Sequence, residues 1–342
     1  MPDADAAASL TQDLFADLSA TNRSTREGAE DALVALGVEA VDHVLPYVRE
    51  GRPAGLGDAE GVLRRLGAVA KGRLREIRRR VPGRLRRKAL VALAALGGGE
   101  GIEGADLRAL ERLVRIRLLE EGAVRLPAEA GRWLAFPADR FDDAVSALGL
   151  HDLRPATTVT GAAAATGFPD RVEVPNSADS RRSTAYRVFV TPELTSRRRT
   201  LPIRNWRLLW GNSFIDELSG FTLADRLSRE CGEAHFYSAD PYNQAECWYV
   251  SRAGRLVRSY GTYADPQFAG EPLHFEVAYR NNAATPREAA EYADGCPYAS
   301  TAARNLSVQC DFVPDIRTQG HGWLANTHPE VPTFRFSGAL PV

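Results

Sequence analysis

Residues 24–96 read STREGAEDALVALGVEAVDHVLPYVREGRPAGLGDAEGVLRRLGAVAKGRLREIRRRVPGRLRRKALVALAAL, and their hydrophobic period decides the architecture of the N-terminal third. Ala32, Leu33 and Leu36 fall on one helical face, and after Gly37 so do Val41, Val44, Leu45 and Val48. Leu63, Leu66, Ala70, Leu74, Ile77 and Val81 step by three and four as one long helix, which Pro82-Gly83 ends. A further set follows at Leu85, Ala89, Ala92, Leu93 and Leu96. Each of these helices carries a single apolar stripe, which it can bury only against a neighbour, so the segment is expected to stack. Ser24 or Thr25 is the expected N-cap of the first, and Ser9 caps a shorter helix before it. Pro46 should kink the second helix or shift its start.

Downstream, Gly97 to Gly104 (GGGEGIEG) is a linker. It lacks the Lys-Ser/Thr and the preceding strand of a phosphate loop. Asp106 to Glu121 forms one more helix, and after Pro127 the period falls towards two. Strands are expected at Arg132–Phe136, Ala156–Thr160, Tyr186–Val190 and Trp206–Trp210, then at Ala234–Tyr237, Cys247–Ser251, Leu256–Tyr260 and Leu273–Ala278. Ala253-Gly254 supplies a hairpin turn. Helices are expected at Arg140–Leu148, Thr222–Cys231, from Pro286 and at Ala299–Val308, and Gly161 to Ser183 reads as a mobile loop. The fold class is therefore α+β and multidomain: a helical domain over residues 1–104, then a mixed α/β region with mainly antiparallel sheets, in two parts, 105–200 and 201–342. The segments GRWLAFPADRFDDAVSALGL and NWRLLWGNSFIDELSGFTLADRL share an order of aromatic strand, loop and helix.

A chain of 342 residues fits two or three domains, and 44% hydrophobic with 25% charged residues is ordinary for a globular protein. The formal net charge of -1 gives the molecule no overall field to select nucleic acid or membrane. The acidic start, without basic or apolar signal regions, and the lack of a long apolar run predict a cytoplasmic protein with no membrane partner. Cys231, Cys247, Cys296 and Cys310 lack CxxC spacing and read as reduced, buried thiols. Lysine occurs only at Lys71 and Lys88, all other basic residues besides histidine being arginine, a bias of high-GC bacterial coding.

The unit from Ser24 to Gly51, helix, tight turn, helix, resembles a HEAT-type repeat, in which antiparallel helix pairs stack into a solenoid; the resemblance runs from about Ser9 to Gly99. RWLAFPA, RVFVTPEL, a Trp-bearing strand with its helix, and the late Gly320-His321-Gly322 resemble a group of uncharacterised actinobacterial proteins with HEAT-like helices ahead of a mixed α/β region. That likeness spans about Leu107 to Ala325 and implies the domain layout, with no catalytic residue to carry over.

The strongest charge feature is Arg64, Arg65, Lys71, Arg73, Arg75, Arg78, Arg79, Arg80, Arg84, Arg86, Arg87 and Lys88, with Glu76 the single acid among them. If the apolar stripe is intact these cations occupy outer faces, where guanidinium forks suit carboxylates or phosphates. A solvated helical face is the plain reading; an acidic protein partner is the expected functional one, and nucleic acid the next. No helix-turn-helix, zinc finger or RNP motif accompanies the cluster. An enzyme of unrecognised type is the remaining alternative, with a pocket between the two α/β parts and His321 and His235 as candidates. His321 stands between glycines that leave its ring accessible. Cys231, His235 and Cys247 fall near one another but lack the second close pair of a zinc site. No GxSxG elbow is present, and Asp142-Asp143 suits a helix N-terminus. No cofactor or metal is expected. Among the aromatics, alternation would turn Phe236 and Trp248 inward and Tyr237 and Tyr249 outward beside Asp240-Pro241, as a binding surface; cross-strand packing is the plain alternative.

Overall fold

The computed structural model describes residues 13–18, 20–48, 59–97, 102, 104–120, 131–166, 170–175, 182–196, 204–240, 245–261, 267–282, 285, 294–309, 316–333 and 336. The expected cap at Ser9, the helix from Pro286 and Cys310 lie outside these residues. The chain is a mixed α+β structure that divides into two compact units, Met1–Val114 with Phe334–Val342, and Arg115–Thr333.

The first unit is helical. Residues 13–18 (α1) precede α2 (Arg23–Ala35), α3 (Val38–Val44), a 3₁₀ turn Leu45–Tyr47, α4 (Ala59–Leu66), α5 (Ala68–Arg80), α6 (Arg84–Gly97) and α7 (Gly104–Glu120). Asn22, not Ser24 or Thr25, caps α2: its side chain accepts from Ser24 N at 2.9 Å. Pro46 does not kink a helix; it sits in the first turn of the 3₁₀ segment, where a missing N–H costs nothing. The expected long helix over Leu63–Val81 is two, broken at Gly67, whose φ of 55° matches that of 62° at Gly37. The same residues return every 30 positions: Ala29, Ala59 and Ala89, then Leu33, Leu63 and Leu93, then Leu36-Gly37, Leu66-Gly67 and Leu96-Gly97. The alanine and first leucine sets are buried throughout. α4 lies between α2 and α6, and α3 lies beside α5.

The second unit is built on one twelve-stranded sheet, antiparallel throughout. Its strands are β1 (Gly131–Pro137), β2 (His151–Ala156), β3 (Arg171–Pro175), β4 (Arg182–Val190), β5 (Glu193–Ser196), β6 (Trp206–Trp210), β7 (Glu233–Asp240), β8 (Ala245–Arg252), β9 (Arg255–Gly261), β10 (Gln267–Gly270), β11 (Ile316–Gln319) and β12 (Gly322–Asn326). The spatial order is β10-β9-β8-β7-β1-β6-β4-β12-β2, with β3 on β4 and β5 joining β6 to β11. The expected division at residue 200 is therefore not a boundary: β5 pairs with β6 across it, Leu194 opposite Trp206, and β1 sits between β6 and β7. Within the two similar segments, β1 and β6 pair antiparallel and their helices α8 (Phe141–Leu148) and α11 (Gly220–Cys231) lie side by side.

Both faces of the sheet are covered, which is why so many strand residues are buried in succession. On one face α8, α10 (Asn212–Leu218) and α11 pack on Leu134, Phe136, Val188, Leu209, Phe236 and Tyr249. On the other, the alanines of α9 (Thr158–Thr166) and α13 (Ala299–Leu306) cover Trp133, Phe189, Leu208, Trp210, Tyr237 and Trp248. Three expectations are corrected here. The strand expected at Ala156–Thr160 lies earlier, as β2 ends at Ala156 and Thr158 already begins α9. Leu273–Ala278 is not a strand but precedes and enters α12 (His274–Asn281), and the expected loop over Gly161–Ser183 contains most of α9, then β3. No helix among the described residues is long and apolar enough to cross a membrane.

Candidate functional site

The arginine-rich segment lies on α4, α5 and the start of α6. Three of its cations, Arg65, Arg73 and Arg78, meet acids brought in by neighbouring helices, and Arg73 and Arg80 also meet Glu76 of their own helix. Arg65 reaches Asp31 at 2.7 Å and Glu30 at 3.8 Å, Arg73 reaches Asp42 at 2.9 Å and Glu76 at 2.7 Å, Arg78 reaches Asp106 at 2.8 Å, and Arg80 reaches Glu76 at 2.8 Å. Hydrogen bonding to Arg73 holds the Glu76 carboxyl below the usual range. Lys88 is not on an outer face: it is buried and donates to the carbonyls of Pro46 and Val48, satisfying backbone acceptors at the end of the 3₁₀ turn. Arg79 is exposed, while Lys71, Arg75 and Arg87 are half-buried. Arg64, Arg84 and Arg86 are exposed and meet no carboxylate among the described residues.

Arg84 and Arg86 stand in the first turn of α6, which contains no acid. Cations there oppose the helix dipole. Leu85 between them is 37% exposed. The corner thus presents two guanidiniums around an apolar side chain, following the cationic last turn of α5, Arg78, Arg79 and Arg80.

In the second unit, the register of β7 separates the other candidates. Ala234 and Phe236 point to the α8–α11 face, His235 and Tyr237 to the α9–α13 face. Cys231 and Cys247 belong to the first of these faces, so the strand lies between them and His235 and no shared metal site forms. No group of three metal-ligating side chains occurs among the described residues. Tyr237 and Tyr249 are not a binding surface: they are 0% and 8% exposed. They face opposite sides because Phe236 is paired with Tyr249 and Tyr237 with Trp248, so alternation does not group Phe236 with Trp248.

His235 is the centre of a buried chain of hydrogen bonds. Its Nε2 lies 3.1 Å from Glu233 Oε1, its Nδ1 3.0 Å from the Tyr237 hydroxyl, and that hydroxyl 3.1 Å from Ser307 Oγ. Trp206 covers the ring at 4.8 Å, and Arg252 bonds Glu233 from β8. Burial raises the Glu233 pKa, but the His235 hydrogen bond and charge together with Arg252 outweigh it and hold the carboxyl at about 2. Burial pushes the His235 pKa down, against Glu233, which favours the cation; Arg252 and Arg204 push it down further. The folded protein therefore keeps His235 neutral where the unfolded chain takes up a proton. Stability is full above the ordinary histidine pKa of about 6.5 and falls as the pH drops below it. Urea midpoints measured across that range should decline towards acid. H235Q should flatten the decline, and an unchanged slope in that variant would place the effect elsewhere.

His321 follows Gly320, whose φ is 74°, and enters β12 on the α8–α11 side. Its ring lies 4.6 Å from Trp323, Trp323 lies 6.1 Å from Phe141, and the Arg207 guanidinium lies 4.8 Å over Phe141. Arg207 donates to Thr191 O at 2.7 Å and to His321 O at 3.5 Å, and meets Glu193 at 3.4 Å. Burial and the Arg207 charge lower the His321 pKa. Among the described residues no carboxylate touches its ring, and its Nε2 is buried without a partner. His321 and His235 thus lie on opposite faces of one sheet, and neither has the open acid–base pair an active site needs. The Arg207–Phe141–Trp323–His321 cluster and the Glu233–His235–Tyr237–Ser307 chain were not assembled from sequence, because each draws on segments far apart in the chain. Comparison with known proteins returned no matching family model, no matching characterised protein and no matching solved structure.

Proposed function

We propose that this is a cytoplasmic binding protein whose N-terminal unit is a HEAT-like stack of helix pairs that docks an acidic protein partner. The 30-residue recurrence of buried alanine and leucine and of the Leu-Gly turn supports the repeat. Reduced, buried Cys231, Cys247 and Cys296 agree with a cytosolic setting. The observation that carries the docking is the α5–α6 corner. Arg84 and Arg86 are held against the helix dipole with no internal carboxylate among the described residues, around the exposed Leu85. A partner offering carboxylates beside an apolar side chain would satisfy all three.

Fluorescence anisotropy with a labelled Glu- and Leu-rich peptide, and with a DNA duplex of equal charge, tests this. The peptide should bind, weaken with salt, and lose roughly tenfold or more in affinity to R84E/R86E. Equal binding by that variant, or preference for the duplex with a steep salt slope, would overturn the reading in favour of a solvated face or a nucleic-acid surface.

A further inference from the structure

α7 buries one side of its surface and leaves the other bare. Leu110 and Val114 are buried, whereas Arg108, Arg112, Arg115, Ile116 and Leu119 are all exposed, Ile116 by 48% and Leu119 by 89%. At about 100° per residue these five fall within an arc of about 100°, opposite the buried pair, along about 16 Å of helix. All five lie on one helix, so its own geometry fixes their spacing.

Two features set this arc apart from an ordinary wet face. The first is charge. Arg108 and Arg112 are four apart, and Arg112 and Arg115 three apart, so like charges repel along the stripe. None of the three meets a carboxylate among the described residues. The acid in the first turn of the helix, Asp106, lies off the arc and is taken by Arg78 of α5 at 2.8 Å. The second feature is apolar. A single exposed aliphatic is commonplace, but Leu119 gives nearly its whole side chain to water beside Ile116, its neighbour three residues back. Elsewhere in this unit such faces meet a helix: α4 lies between α2 and α6, and α3 lies beside α5.

The stripe selects its occupant. Guanidiniums at three- and four-residue spacing match carboxylates at the same spacing, which a helix presents along one face. A second copy of this chain fails on charge: the arc contains no acid, so α7 against α7 would set arginine on arginine. A phosphate surface would satisfy the arginines and leave Ile116 and Leu119 bare. A bilayer would want aliphatics along the whole face, and here they occupy one end.

We propose that the outer face of α7 seats an amphipathic helix of a partner protein, with Asp or Glu side chains against Arg108, Arg112 and Arg115 and an aliphatic end on Ile116 and Leu119. This surface shares no residue with the α5–α6 corner and does not depend on it.

The probe is a labelled helical peptide with Glu at three- and four-residue spacing on one face and Leu at one end of that face. The control is a scrambled peptide of the same composition. Fluorescence anisotropy on the full chain should show the striped peptide binding roughly tenfold or more tightly than the scrambled one. R112E/R115E, at exposed positions, should remove that preference, and a Lys-for-Glu version of the striped peptide should regain it on that variant. I116S/L119S should weaken the striped peptide without strengthening its salt dependence. R84E/R86E should leave the preference intact, which separates this surface from the corner. Equal binding of the two peptides, or a preference lost only in R84E/R86E, would overturn the proposal. So would tighter binding to a DNA duplex or to phosphatidylserine vesicles than to the striped peptide, or a dimer in sedimentation that R112E/R115E dissolves.

Discussion

Replacing Arg258 by methionine is expected to destabilise the sheet unit by about 3–5 kcal/mol, the cost of breaking a buried ion pair by removing one partner. Arg258 and Glu276 are 3% and 1% exposed and meet twice, each contact 3.1 Å. The remaining donors of the arginine reach Gly270 O and Asp294 O, both at 2.6 Å, and its guanidinium lies 4.5 Å over Phe268. The carboxylate also accepts from Leu273 N at 2.8 Å and Cys296 N at 3.3 Å. One pair therefore ties β9, the end of β10, the start of α12 and the backbone at 294–296. Gly295 fits this crossing because its φ is 145° and a Cβ there would lie 2.2 Å from Glu276 Oε1. In R258M the carboxylate remains buried without its cation, whereas R258M/E276M removes both charges and should recover most of the loss. Urea denaturation followed by tryptophan fluorescence measures both, with Trp248 bonded to Cys296 O as a local reporter. A loss under about 1 kcal/mol for R258M would mean that the backbone, not the pair, holds these segments.

Glu276 also explains one failure of sequence reading. Leu273, Phe275 and Val277 alternate as in a strand, which assigns Glu276 to the solvent side. In the structure Glu276 is buried and Val277 is 40% exposed, because the helix turns the carboxylate towards Arg258. An ion pair formed across 18 residues outweighed the local period. The Gly161–Ser183 stretch was misread for a related reason: its small residues suggest a loop, but they are small because α9 lies close on the sheet. What could be read was local. The amphipathic helices, the strands β1, β4, β6, β7, β8 and β9, and the Ala253-Gly254 turn, with φ of 48° and 76°, follow from period and turn chemistry. The 30-residue recurrence of Leu-Gly was also present in the sequence and marks the helix pairs that a reading by apolar spacing alone ran together. The candidate site was legible as a set of cations but not as a surface. Counting acids within the segment finds Glu76, while stacking delivers Glu30, Asp31, Asp42 and Asp106 from elsewhere. The tyrosines failed because alternation presumes a wet face, and this sheet has none at its centre.

Gly161 to alanine is expected to lose stability at the upper end of the roughly 1–3 kcal/mol typical of overpacking. The Cβ it adds would lie 2.0 Å from Phe189 Cδ2, and Gly322 to alanine would place one 2.4 Å from Phe189 Cε2 and 2.9 Å from Val190 O. One ring, 0% exposed on β4, is thus pressed by glycines from α9 and from β12. The same geometry resolves the Gly320-His321-Gly322 motif. Gly320 is required by its φ of 74°, with nothing within 4 Å of the position a Cβ would take, and Gly322 by the Phe189 ring. The glycines serve the chain path and the packing, and the accessibility of His321 is not their purpose. A double-mutant cycle distinguishes the two causes. F189L gives up ring volume, so G161A/F189L and G322A/F189L should each be more stable than the sum of their single losses by about 1 kcal/mol or more. G320A should lose about 1 kcal/mol through backbone strain alone and show no coupling to F189L. Additivity in the Gly161 and Gly322 cycles would mean that the ring is not what excludes a side chain from those positions.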